Sequence, residues 1–250
     1  MKLISDLTLE EILSICDHTY LNRPEAFYGK VDDPVRAWRE EFDSFLRDTV
    51  ELPFAPYAVC VRHDNVEYVK DFLGGDRDDI KIAATAGFPY GACSFNTKKG
   101  EVLIALDDGA DEVDFVMDYM ALKEMGAPCV YEDVGELNEV IHNHGALSKL
   151  ILETSELNIE QIKLACCIAE DVGVDFVKTS SGYTSKFASV GPLRIMRKYF
   201  SRGVKMSGKV KKENVYDLLG AVSGRSDGMI DLDPMRVRIG ESGLIGSLRG

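Results

Sequence analysis

The 250-residue chain has no run of about 18 consecutive apolar residues, so no membrane-spanning helix is expected. Its first residues, MKLISDLTLEEIL, carry acidic side chains early and no long apolar stretch, unlike a secretory leader. None of the six cysteines (Cys16, Cys60, Cys93, Cys129, Cys166, Cys167) forms a C-x-x-C pair, and a chain of this size needs no covalent staples. They read as reduced thiols of a cytoplasmic protein. Positive charge is scarce. Lys and Arg number 29 against 42 Asp and Glu, a net charge of −13, which disfavours nucleic acid and anionic membranes as partners. Histidine is scarce too, with four residues. His142 and His144 lie two apart in a predicted helix and do not share a face, and no compact His/carboxylate set is seen, so no metal and no cofactor are expected.

Hydrophobic residues make up 45%, enough for an ordinary globular core. Apolar segments rich in β-formers alternate with segments of helical periodicity. The strand-like segments are CDHTYL, YAVCVR (57–62), IKIAAT, EVDFVM (112–117), KLILET (149–154), VDFVKTS (174–180), GVKMSG and MRVRIG (235–240). Between them, helices are predicted over 34–49, 65–73, 97–108, 131–144, 159–172, 190–200 and 213–222. A short N-terminal helix is expected, capped by Ser5 or Asp6, and a closing turn at 244–248. Several strands are near-continuous apolar runs, the pattern of strands covered on both faces. Eight such units with no linker predict an α/β fold, a single (β/α)8 TIM barrel over residues 1–250.

In such a barrel, chemistry sits where strands end and their following loops begin. Lys178 and Lys205 each lie within a strand, where a lysine is rare without a partner or a task. If adjacent strands turn both inward, the two ammonium groups lower each other's proton affinity and free an amine to attack a carbonyl. Asp114 shares a strand face with Val116; turned inward, it becomes a buried carboxylate beside two amines, suited to carry protons. Each residue alone also has a structural reading: a solvated strand-end lysine, an ion-paired aspartate, a hydrogen-bonded His18, an apolar filler Cys60.

The segments GADEVDFVMDYMALK, LILETSEL, GVDFVKTSSGY and GVKMSGKV resemble those of deoxyribose-phosphate aldolases, as do DHTYLN, YAVCV and AGFPYGA. The likeness runs in order from about Asp17 to Leu248. It implies a metal-free, reversible cleavage of 2-deoxyribose 5-phosphate through a lysine imine. Lys178 takes the position of the Schiff-base lysine, Lys205 that of the second lysine, and Asp114 that of the proton relay. Asp17, Thr19 and Cys60 match positions near the substrate, and Thr179, Gly182, Ser207, Gly208, Lys209 and Ser242 complete the expected substrate contacts. The partners implied are small sugar phosphates or aldehydes and, in a homo-oligomer, further copies of the chain as a dimer or tetramer.

Two departures bear on the phosphate end. The family's G-G-V-R is here Gly208-Lys209-Val210-Lys211, so a Cβ stands where a glycine lets backbone amides approach an anion. Glu241 precedes Ser242, and a carboxylate beside a phosphate repels it unless it points away or pairs with Lys209 or Lys211. A Schiff-base aldolase with weakened phosphate preference and a non-catalytic sugar-phosphate-binding barrel are therefore the alternatives to test.

Overall fold

The computed structural model describes residues 1–184 and 188–249. Eight parallel strands close into a barrel: β1 (Cys16–Thr19), β2 (Ala58–Arg62), β3 (Lys81–Ala86), β4 (Glu112–Val116), β5 (Leu147–Ile151), β6 (Phe176–Lys178), β7 (Gly203–Ser207) and β8 (Val237–Glu241). They neighbour one another in chain order, with β8 pairing back onto β1 through Ile239 with Cys16 and Gly240 with Asp17. The helices are α1 (Leu9–Leu13), α2 (Pro34–Val50), α3 (Val66–Leu73), α4 (Phe95–Asp107), α5 (Tyr119–Glu124), α6 (Ala127–Asn143), α7 (Ile159–Val172), α8 (Val190–Tyr199), α9 (Val215–Ser223) and α10 (Leu244–Arg249). The expected (β/α)8 barrel is thus the observed one, preceded by the short helix α1. No helix among the described residues is long and apolar enough to cross a membrane.

Local chemistry explains most element ends. Asp33 caps α2 by accepting from Arg36 N, and Pro34 occupies the first helical position, where a missing N–H costs nothing. Asn158 and Gln161 form a reciprocal capping box at the start of α7, and Gly173 ends that helix in the left-handed conformation. For α1 the cap is Thr8, which forms a box with Glu11. The expected caps Ser5 and Asp6 instead lie in or beside a 3-10 turn over Ile4–Asp6. That turn follows a two-residue strand, Lys2–Leu3, paired antiparallel with Met229–Ile230, a long-range contact with no local sequence signal.

The fifth strand is shifted from its expected range. It begins at Leu147 and ends at Ile151, two residues earlier than 149–154 at the start and three at the end. Glu153 stops it by adopting a left-handed backbone, φ 55°, so Glu153 and Thr154 belong to the loop. The outward faces of the strands and the inner faces of the helices form the apolar core. Val113, Phe115, Leu150, Val177, Val204, Met206 and Ile239 pack there against helical residues such as Val134, Ile162 and Leu193. A second cluster lies over β2 and β3 and includes Phe42, Leu46, Val59 and Ile82.

Candidate active site

Every second residue of a barrel strand turns inward. On β4 these are Glu112 and Asp114, on β5 Lys149, on β6 Lys178, on β7 Lys205, on β8 Arg238 and on β1 Asp17. Oδ1 of Asp114 accepts from Lys149 Nζ at 2.8 Å, and Oδ2 accepts from both Lys178 and Lys205 Nζ at 2.7 Å each. Lys205 donates as well to Oδ2 of Asp17. Arg238 holds the other oxygen of Asp17, Nε at 2.8 Å and Nη2 at 2.7 Å, and its Nη2 is 2.5 Å from Oε2 of Glu112. Lys149 Nζ lies 2.5 Å from the same Glu112 oxygen. Tyr57 sits against this network from the strands' N-terminal side, its ring centroid 3.7 Å from the Arg238 guanidinium. Lys178 is 1% exposed and Asp17, Asp114, Lys149, Lys205 and Arg238 are wholly buried, so water does not dilute these interactions.

The partners set the charges. Burial alone works against ionisation of Asp114, but Lys149, Lys178 and Lys205 overcome it and hold the carboxyl well below its ordinary range. Burial likewise opposes a charge on Asp17, and Arg238, Lys205 and Lys149 reverse it. Burial weakens proton binding at Lys205, yet Asp114 and Asp17 more than restore it, so the ammonium binds its proton more tightly than an ordinary lysine. The mutual lowering expected of two close lysines therefore does not extend to Lys205. Lys149 and Arg238 are held charged in the same way by their carboxylates.

Above the network a cavity of about 900 Å³ opens on the C-terminal face of the barrel. Thr19, Ser207 and Gly240, which border it, lie two residues beyond Asp17, Lys205 and Arg238, one inward layer higher. Gly240 is required there: a Cβ would stand 2.7 Å from Ser207 Oγ and 3.0 Å from Lys205 Cε. The arrangement places an amine, a fixed carboxylate and a fixed second ammonium beneath a cavity able to admit a small carbonyl compound, the equipment for imine chemistry.

A family model described as DeoC/LacD family aldolase matches residues 12–225. The chain belongs to this aldolase family. It is 38% identical to the deoxyribose-phosphate aldolase of Thermococcus kodakarensis over 76% of this chain and 85% of that one. It is 32% identical to that of Caldicellulosiruptor saccharolyticus over 88% and 94% of the two chains. The solved tetrameric deoxyribose phosphate aldolase of Aeropyrum pernix shares the fold, with a TM-score of 0.72, 20% identity, and coverage of 97% of this chain and 91% of that one.

Of the site residues expected in this aldolase, Lys178, Lys205, Asp114 and Asp17 meet directly. Cys60 is fully buried on the inward face of β2, its thiol pushed up chiefly by burial. Thr19 donates to the Asp17 carbonyl and borders the cavity, as do Ser207, Gly182, Gly208, Lys209 and Ser242. Gly182 and Gly208 have φ of 88° and 91°, the left-handed region glycine enters freely. Thr179 is placed otherwise: it faces away from the cavity and exchanges two hydrogen bonds with the Ser207 backbone, tying β6 to β7.

Both departures from the family pattern have structural outcomes. Lys209 adopts φ 50° and so takes a glycine-like backbone despite its Cβ. Glu241 alternates with inward Gly240 and points out of the barrel. Its Oε2 accepts from Leu244 N and Ile245 N at the start of α10, and Oε1 lies 3.7 Å from His18 Nε2. Of the two alternatives for Glu241, these contacts fit the one in which its carboxylate turns away from the barrel interior. Burial pushes the Glu241 carboxyl up to about 7.

Three site residues escaped the sequence reading: Lys149, Glu112 and Arg238. Each carried the signal of two-residue spacing. Glu112 lies two before Asp114, Arg238 two before Gly240, and Lys149 two before Ile151, once the strand is taken to start at Leu147. His142, Ser148 and Asp175 also converge, at the N-terminal end of the barrel. Ser148 Oγ and Asp175 both lie on His142 Nε2, at 3.5 and 2.8 Å, so the imidazole cannot relay a proton between them as a catalytic triad would.

Proposed function

We propose that this chain is a class I aldolase that reversibly cleaves 2-deoxy-D-ribose 5-phosphate to D-glyceraldehyde 3-phosphate and acetaldehyde through an imine on Lys178. The observation that carries the reading is the buried Lys178 nitrogen, 2.7 Å from a carboxylate oxygen that also binds the ammonium of Lys205. The neutral amine adds to the C1 aldehyde of the open-chain sugar. Asp114, bonded to that nitrogen, carries its proton to the carbinolamine oxygen, and a second proton, taken up from solvent, lets that oxygen leave as water and gives the iminium. The iminium then accepts the electron pair of the breaking C2–C3 bond, while the C3 hydroxyl loses its proton and becomes the aldehyde of glyceraldehyde 3-phosphate. The remaining enamine is protonated at C2, which takes up the equivalent of the proton lost from the C3 hydroxyl. Water hydrolyses the iminium, releasing acetaldehyde and a proton to solvent and restoring the neutral amine.

Lys205 stays charged throughout and holds the Asp114 oxygen that also binds Lys178. Asp17, Thr19, Cys60 and Ser207 border the reacting end of the sugar, with Thr179 supporting Ser207 from behind. Gly182, Gly208 and Ser242 take the 5-phosphate through backbone and hydroxyl donors, and Lys209 adds charge. Glu241 also borders that pocket, but its carboxylate is buried against the first amides of α10, which keeps it from competing with the phosphorylated substrate. Residues 1–250 serve as one catalytic domain of a cytoplasmic homo-oligomer, dimer or tetramer. The tetrameric Aeropyrum pernix relative supports an oligomer, and light scattering on the purified protein measures its size.

Borohydride reduction in the presence of acetaldehyde, followed by peptide mapping, tests the reading. A stable adduct at residue 178 is expected, with none in Lys178→Met. An adduct elsewhere, or none, rejects the mechanism. Catalytic efficiency on deoxyribose and on its 5-phosphate tests the substrate, with strong preference for the phosphate ester expected.

A further inference from the structure

The contacts inside the barrel form a closed circuit. Asp114 binds Lys205, Lys205 binds Asp17, Asp17 binds Arg238, Arg238 binds Glu112, Glu112 binds Lys149, and Lys149 returns to Asp114. Three cations alternate with three carboxylates, so the circuit is neutral. Lys178 is attached to it from outside, by one bond to an Asp114 oxygen that Lys205 also holds. Four cations therefore face three carboxylates, and each carboxylate already bridges two cations of the circuit. We infer that Arg238 and Glu112 are positioning residues for the imine reaction. They close this circuit and so leave Lys178 as its one surplus cation, the residue that gives up a proton. The inference rests on Lys178 being the imine-forming residue and adds what selects it over Lys149 and Lys205.

The geometry makes the selection physical. Lys149 and Lys205 each touch two carboxylates, and Lys178 touches one. In a buried site a charge without its own counter-ion is the costliest to keep. Losing the proton of Lys178 leaves the circuit balanced; losing one from Lys149 or Lys205 leaves a carboxylate under-compensated. The directions of proton affinity at Asp17, Asp114, Lys149, Lys205 and Arg238 all favour their charged forms. The other groups turned towards the interior include the buried Cys60 thiol on β2, neutral Ala83 and Thr85 on β3, Phe176 on β6, and Tyr57 beneath Arg238. At the C-terminal end of β2, Arg62 donates to the carbonyls of Leu21 and Phe88, and beyond β5 Glu153 accepts from Ser181 N and Thr184 Oγ1. At the other end Lys81 pairs with Asp111. Arg238 and Glu112 reach Lys178 only through other side chains, so their effect is on its charge and placement.

The test follows trapping of acetaldehyde by cyanoborohydride across pH, with the pH of half-maximal labelling at residue 178 as readout. Arg238→Gln removes a cation and lets the remaining charges balance with Lys178 protonated. Its midpoint moves to higher pH by about one unit or more, a tenfold change in free amine at a given pH. Glu112→Gln removes a carboxylate, and its midpoint moves to lower pH. The double variant R238Q/E112Q restores the count and returns close to the wild type, and Arg238→Lys leaves the midpoint in place. A purely structural role gives lost yield with no opposed shifts. Shifts of the same sign, or none, in variants that melt cooperatively overturn the inference. Should Arg238→Gln fail to fold, the E112Q and R238K outcomes decide it alone. Wild-type protein that never labels at residue 178 rejects the proposed function itself, whereas wild-type labelling without opposed shifts rejects only the role of the circuit.

Discussion

The two faces of the barrel wall are built from the same strands and obey opposite rules. Outside, Val113, Phe115, Leu150 and Val177 pack against helices, apolar side chain against apolar side chain. Inside, one residue along, Glu112, Asp114, Lys149 and Lys178 are equally buried, and they hold one another by charge. Burial is common to both regions; what differs is whether each group finds a partner. Glu241 teaches the same from the outer side. It is a buried carboxylate with two amides on one oxygen and His18 at 3.7 Å from the other, and burial drives it towards the neutral form. Asp114, with three ammonium groups, is driven the other way.

The comparison breaks most sharply at two adjacent residues. Asp114→Asn leaves three buried amines without their shared carboxylate, and stability should fall by about 3–5 kcal/mol. Turnover of the folded fraction should fall by about 10²-fold or more. Phe115→Ala should cost a similar ~3–5 kcal/mol by opening a cavity, with turnover of the folded fraction unchanged. Denaturant titration and steady-state kinetics on both variants check this. If Phe115→Ala lost turnover as Asp114→Asn does, the division between the two faces would fail.

A smaller effect separates the two buried carboxylates by pH. The folded chain binds a proton at Glu241 up to about pH 7, whereas an ordinary glutamate releases it near 4.5. Its stabilising contribution is therefore complete below pH 4.5, declines as pH rises and is lost above about 7. Asp17 and Asp114 lie below the ordinary 3.8, so their contribution is present above that value and lost as pH falls through their folded values. Glu241→Gln should raise stability at pH 8 by up to roughly 3 kcal/mol, a gain that vanishes in acid. Melting curves from pH 4 to 8 measure it, and a gain independent of pH would contradict the assignment.

The smallest expected effect is at the cavity rim. Lys209 holds φ 50°, which costs an L-residue roughly 1–2 kcal/mol. Lys209→Gly relieves that strain but adds unfolded-state entropy, for a net gain of about 1 kcal/mol or less. The same variant should weaken binding of the phosphorylated sugar if the Lys209 ammonium contributes charge there. An unchanged KM for the 5-phosphate would remove Lys209 from the binding set.

Much of this was readable along the chain. Alternating apolar runs and helical periodicity set the eight units, and Asn158 with Gly173 marked both ends of α7. Lys178, Lys205 and Asp114 stood out because charged residues interrupt otherwise apolar strands. Lys149 did not, because the fifth strand was placed two residues late and the lysine then lay at its start. The overrun at the strand's other end arose where Glu153 adopts a left-handed backbone, a conformation glutamate has no intrinsic preference for. Glu241 was legible as an unusual residue, but its direction depended on the register of β8 against β1, which pairs it with His18 on the outer face.

By itself, the order of residues determined the alternation of strands and helices, the apolar outer layer and the placing of Lys178, Lys205 and Asp114 within otherwise apolar strands, because period and propensity act over a few neighbours. Only the closed barrel decided that Asp17, Glu112, Asp114, Lys149, Lys205 and Arg238 meet in one circuit. Those six lie on five strands spread over more than two hundred residues of chain. Their contacts follow from strand register and the curvature of a closed sheet, which no local stretch of sequence encodes.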